Sequence, residues 1–230
     1  MKIEVLPDAE AVARRAAEFI AGAARDAVAA RGAFAFAVSG GRTPWQMLHA
    51  LCALDVPWPK THLFQVDERV APHGDADRNL THIAESLLAQ VTLAPGHLHA
   101  MPVEALDLPA AAVRYAQELE VVTGAPPILD LVHLGLGPDG HTASLIPNDP
   151  ALQETGAAVA LTAPYQGHPR MTLTFSVLDR ARCVLWVVTG PEKVAMLARL
   201  VRGDRAIPAG RVNGERAVIL ADAAAAAKLP

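Results

Sequence analysis

Long hydrophobic runs, surplus charge and cysteine are all scarce in this chain of 230 residues. Each scarcity excludes something. No apolar stretch approaches the length that crosses a bilayer, because Pro, Gly or a charge interrupts every run. The first residues, MKIEVLPDAEAVARRAA, lack the basic, then apolar, then small pattern of a secretory signal. The expectation is a soluble cytoplasmic protein with no membrane partner. Lys and Arg (20) and Asp and Glu (24) are interspersed, for a net charge of −4. No basic stripe therefore offers itself to nucleic acid, and any anion site must be local. The two cysteines, Cys52 and Cys183, each sit among apolar residues. That pattern predicts two buried free thiols rather than a disulfide. Internal repeats and low-complexity linkers are absent too, so residues 1–230 are read as a single domain.

Short apolar runs alternate with amphipathic helices along the whole chain. KIEVL, AFAFAV (33–38), HLFQVD (62–67), HLHAM, ILDLVHL, CVLWVV and AVILAD read as strands. AAVALTA and RMTLTFSVL read as extended segments. Helices are expected after Asp8 as N-cap, ending at Gly32, and over residues 43–54, 77–90, 108–123 and 191–203, with a last Ala-rich helix at the end. The alternation predicts an α/β fold: three layers, a mostly parallel sheet with helices on both faces. Ligands of such sheets gather at the carboxyl ends of the strands. Four turns lie there: SGGRTP, DERVAPHGD, GLGPDGHTASL and TGPEK.

GLGPDG, with Gly135, Gly137 and Gly140, fits the dinucleotide fingerprint G-x-G-x-x-G. Its context does not. No long helix follows, since Pro147 and Pro150 interrupt, and no acid ends the next extended segment. The glycines are better read as allowing a tight bend and a close approach to a ligand. Asp139 and His141 in the same turn point to chemistry, because a packing turn needs neither. SGGRTP offers backbone N–H groups, the Ser39 and Thr43 hydroxyls and a helix N-terminus, an anion cradle that is not a Walker loop. Asp67, Glu68 and Arg69 end a strand, where an acid and the adjacent Arg also make sense as a mutually satisfied pair. Lys193 stands in the first turn of a helix, an unfavourable place for a cation unless an anion compensates. Arg170 is a second candidate cation. His97 and His99, flanking Leu98, are expected to be partly exposed, with no third metal ligand evident. The HGDAD loop (73–77) lacks the spacing of a calcium loop.

Taken together, SGGRTP, VDERVAP followed by Asn79, GLGPDGHTASL, PRMTLTFSVL and VTGPEK resemble the 6-phosphogluconolactonase family, in the superfamily shared with glucosamine-6-phosphate deaminase/isomerase. The resemblance implies hydrolysis of 6-phospho-D-glucono-1,5-lactone to 6-phospho-D-gluconate, a step of carbohydrate metabolism, without cofactor or metal. It implies that Ser39, Gly40, Gly41, Arg42 and Thr43 hold the sugar phosphate with Arg170 and Lys193. Asn79 and Gly137 would contribute to substrate binding. His141 matches the catalytic base, Asp67 an active-site acid and Arg69 a polar partner of the reacting carbonyl. Either Asp67 or Asp139 is expected to orient the imidazole. The family usually has Ser-Asn-Tyr where this chain has Arg78-Asn79-Leu80. The deaminase sibling carries a ring-opening glutamate five residues after the histidine; here that residue is Ile146, which transfers no proton. Two alternatives remain beside the lactonase: the deaminase/isomerase, and a non-catalytic sugar-phosphate sensor.

Overall fold

Seven of the short apolar runs pair side by side, all parallel, in the computed structural model, which describes residues 1–229. They are β1 (Lys2–Leu6), β2 (Phe34–Val38), β3 (Thr61–Gln65), β5 (Leu98–His99), β6 (Leu131–Leu134), β9 (Val184–Val188) and β10 (Ala217–Asp222). Their order across the sheet is β1-β10-β9-β6-β2-β3-β5. Central strands such as FAFAV and VLWVV are buried along their whole length, as a sheet covered on both faces demands.

Alternate residues of β2 feed two separate cores. Phe34, Phe36 and Val38 pack under α1 (Ala9–Arg31), α2 (Arg42–Leu51) and α3 (Asn79–Ile83). Ala35 and Ala37 face α4 (Leu108–Thr123) and α6 (Val194–Val201) on the other side. This is the three-layer α/β architecture the alternation predicts. Asp8 caps α1 by accepting from the Ala11 N–H at 2.8 Å, and Gly32 ends it at φ +82°.

Several expectations are corrected. The extended segment at 62–67 leaves the main sheet after Gln65, and Asp67–Arg69 form β4 of a second, antiparallel sheet of order β4-β8-β7. Its other strands are β7 (Val159–Tyr165) and β8 (His168–Leu173). RMTLTFSVL stays extended only to Leu173, then turns into the short helix α5 (Phe175–Leu178). The helix at 77–90 is shorter, with α3 running into a wider helical turn over Ala84–Leu88. The Ala-rich end forms turns rather than a helix. Both cysteines are free but only half-buried. His99 is buried rather than part-exposed, stacked on Phe64 at 4.1 Å between centroids. No described helix is long and apolar enough to cross a membrane.

Candidate active site

The cleft forms where the sheet changes direction. From β2 the chain moves to β3 on one side, and from β6 it moves to β9 on the other. The loops after these neighbouring strands therefore splay apart and leave a crevice at their carboxyl ends. It measures about 190 Å³ and is lined by Ser39, Gly40, Asp67, Arg69, Asn79, Gly135, Leu136, Gly137, Pro138, His141, Ala143, Arg170 and Lys193. A wider open depression of about 660 Å³, bordered by Leu200, Arg205 and Asn213, includes no His, Ser or Cys.

The glycine-rich turn is wound on itself. Gly137 N–H donates to the His141 carbonyl at 2.8 Å, and Gly140 N–H to the Gly137 carbonyl at 3.1 Å. A Cβ on Gly137 would lie 2.1 Å from His141 Nδ1, so only glycine lets the imidazole fold back over the turn. There His141 Nδ1 meets Asp139 Oδ1 at 2.6 Å, and the same oxygen accepts from the His141 backbone N–H at 3.1 Å. Asp139 is thus the acid that is hydrogen-bonded to His141. Burial pushes its carboxyl up, but the His141 N–H and imidazole outweigh that and hold it below the usual carboxylate value. With Nδ1 turned to the carboxylate, Nε2 is the nitrogen left for chemistry.

Asp67 has other partners. Ser144 donates to its Oδ2 at 2.6 Å and Ser39 to its Oδ1 at 3.2 Å, and Asn79 Nδ2 bonds its carbonyl at 2.9 Å. It lines the cleft but makes no hydrogen bond to His141 in this structure. Asn79 in turn is seated against Gly40, where a Cβ would lie 2.0 Å from its Oδ1. The side-by-side arrangement of β4 and β8 puts Arg69 opposite Arg170. Two cations facing each other repel unless an anion lies between them. Each also has a buried Nε without a partner among the described residues. Burial, then the Arg69 charge, push the pKa of Arg170 down.

Lys193 borders the cleft at the start of α6, with no acidic partner among the described residues. Its turn is pinned by Asp222, whose carboxylate accepts the Gly190 N–H at 3.0 Å. Thr43 Oγ1 lies 2.6 Å from Thr189 Oγ1 and ties the 39–43 loop to that turn. Gly40 contributes to the wall, whereas Gly41, Arg42 and Thr43 do not line it, and Arg42 is exposed.

Sequence reasoning named Glu68 without a role in the site and missed Ser144, Tyr165 and Asp222. Glu68 is fully buried and accepts from the backbone N–H groups of Arg69, Asn79 and Leu80 at 2.8, 2.7 and 2.8 Å. Arg78, the departure from the family pattern, lies beside it with Nε at 3.3 Å from Oε2, and is turned away from the cleft. DERV beside a second Arg was the available signal for Glu68. Nothing in the sequence marks the other three.

The family model described as glucosamine-6-phosphate isomerases/6-phosphogluconolactonase matches residues 7–220. The chain belongs to this family. A 6-phosphogluconolactonase of Nostoc sp. is 34% identical over 99% of this chain and 98% of its own. One from Mycobacterium tuberculosis is 36% identical over the same shares. The solved 6-phosphogluconolactonase of Thermotoga maritima superposes with a TM-score of 0.86 at 28% identity, covering 96% of this chain and 98% of that one. A monomeric glucosamine-6-phosphate deaminase shares the fold, with a TM-score of 0.84 at 17% identity over 99% of both chains, a likeness of fold alone.

Proposed function

We propose that this protein hydrolyses 6-phospho-D-glucono-1,5-lactone to 6-phospho-D-gluconate, as a soluble enzyme of cytoplasmic carbohydrate metabolism. The observation that carries the reading is an oriented imidazole in the same cleft as three cations, Arg69, Arg170 and Lys193, that form no salt bridge among the described residues. The cations suit a phosphorylated substrate, and the imidazole suits water activation.

The phosphate docks on the Ser39–Gly40 end of the 39–43 loop with Arg170 and Lys193, which anchors the sugar ring. His141 Nε2 takes a proton from water as its oxygen attacks C1. Asp139 stabilises the imidazolium that results. The oxyanion requires a donor, and the amides of Gly137 and Gly140 are already spent inside the turn. Arg69 remains, with an Nε that has no other partner among the described residues. His141 then returns the proton to the departing ring oxygen. Asp67 fixes Ser39 and Asn79 around the substrate. The deaminase alternative requires an acid where Ile146 stands, buried and aliphatic.

The test uses lactone made fresh from glucose 6-phosphate, with its decay followed with and without protein. Wild type accelerates the decay. His141→Asn lowers turnover by roughly 10²–10⁴-fold, the usual weight of a general base, and still binds 6-phosphogluconate. Decay at the uncatalysed rate with folded wild type overturns the assignment, and retained 6-phosphogluconate binding then selects the sensor.

A further inference from the structure

The hairpin between β7 and β8 ends in a two-residue turn, Gln166 and Gly167, both at positive φ (51° and 89°). That is the geometry of a tight hairpin whose twist matches its strands. The residue just before the turn is Tyr165, paired with His168. The register shifts between Thr162 and Tyr165, and such an irregularity re-aims the side chain that follows it. Tyr165 is aimed at the catalytic turn. Its hydroxyl donates to Asp139 Oδ2 at 3.2 Å, the carboxylate oxygen that His141 does not use. Its ring meets the His141 imidazole edge-on, with centroids 5.5 Å apart and planes at 71°. Its other neighbour is a substrate-binding candidate. The Arg170 guanidinium lies 5.1 Å from the ring centroid, and Arg170 Nη2 donates to the Tyr165 carbonyl at 3.2 Å.

We propose that Tyr165 is a positioning residue for the Asp139–His141 pair, held in place by Arg170. This rests on the hydrolytic reading above. The Asp139 carboxyl rotates about a soft torsion, and water competes for both of its oxygens at a half-buried site. With Oδ2 held by the tyrosine, Oδ1 stays on the ring, and Nε2 keeps one direction in the cleft. Because Arg170 packs on the same ring, the cation that receives the substrate and the pair that does the chemistry share one support.

Tyr165→Phe keeps the ring and removes only the hydroxyl. Its kcat is expected to fall about tenfold, the worth of one hydrogen bond to a charged group, with KM within about twofold of wild type. Tyr165→Ala also removes the surface under Arg170 and raises KM. A second readout does not depend on turnover: the downfield proton signal of His141 Nδ1–H, sharp in wild type and broadened in Tyr165→Phe by faster exchange. Wild-type kcat and an unchanged Nδ1–H signal in Tyr165→Phe overturn the proposal, and so does a lowered Tm with kcat intact. Broadening in a protein whose wild type leaves the lactone untouched upholds the positioning role. The failure then belongs to the assigned reaction.

Discussion

At the scale of single residues, the site depends on one atom that is missing. The His141 imidazole occupies the space that a Gly137 side chain would take, 2.1 Å from Nδ1. Gly137→Ala therefore pushes the ring off Asp139 without touching any charge or either core. Misplacing a catalytic group by about 1 Å costs on the order of 100-fold, and that is the loss of kcat expected here. Steady-state kinetics beside a thermal melt checks it. An active Gly137→Ala enzyme with an unshifted Tm would show that the ring has room elsewhere. Ala143, two residues beyond His141, sits at φ +51°, so the non-glycine part of the turn is also held in an uncommon conformation. The Thr142–Leu145 bridge closes around it.

At the scale of elements, the problem is how a strand end, a β-hairpin and a short helix are made to converge. Glu68 answers it. Its carboxylate gathers three backbone N–H groups and the Gln65 amide, at 2.7 to 2.8 Å, and joins β4 to the first residues of α3. Arg78 balances the charge, with only 2% of its side chain exposed. A buried ion pair broken on one side costs about 3–5 kcal/mol when the partner charge is left uncompensated; here Arg78 keeps Glu104 as a partner at 2.5 Å, so the lower end applies. Glu68→Gln removes the charge and keeps one acceptor, so a loss of about 3 kcal/mol is expected in urea denaturation. KM should rise as Arg69 and Asn79 lose their shared anchor. An unchanged denaturation midpoint would mean that the backbone alone sets this junction.

At the scale of the whole molecule, two buried or half-buried histidines tie stability to pH. His133 is fully buried in β6, directly behind the cleft, where its Nδ1 accepts the Ser39 N–H at 3.3 Å. Burial lowers its pKa to about 3. His62 is lowered to about 4, by burial first and then by His97 and His99. An unfolded chain protonates both near pH ~6.5, while the folded one keeps them neutral. The stability they contribute is therefore complete above about pH 6.5 and drains away as pH falls towards the folded values. For His133 the slope is about 1.4 kcal/mol per pH unit. Urea denaturation at pH 7 and pH 5 reads it. His133→Asn keeps an acceptor for Ser39 and should reduce the dependence to the part that His62 contributes. The wild-type slope persisting in that variant would assign the sensitivity to other groups.

The sequence by itself determined the layers and most of the residues that line the cleft. Apolar runs at strand length, Asp8 and Gly32 as helix signals, and the glycines before His141 are local features, and local physics reads them. The residues it placed around the cleft (Ser39, Gly40, Asp67, Arg69, Asn79, Gly137, His141, Arg170 and Lys193) do line it. Which acid serves His141 was left open between Asp67 and Asp139, because both spacings permit it. Only the folded turn, which directs Oδ1 at Nδ1, pairs His141 with Asp139. Arg42 and Thr43 belong to the right loop, yet Arg42 faces solvent and Thr43 reaches sideways to Thr189, since a helix start directs successive side chains outward in different directions. The second sheet, the Glu68 junction and the Tyr165 support were out of reach for a further reason. Each joins residues ten or more positions apart, and no periodicity records which partner a side chain will meet. That information exists only once the loops have been packed against one another.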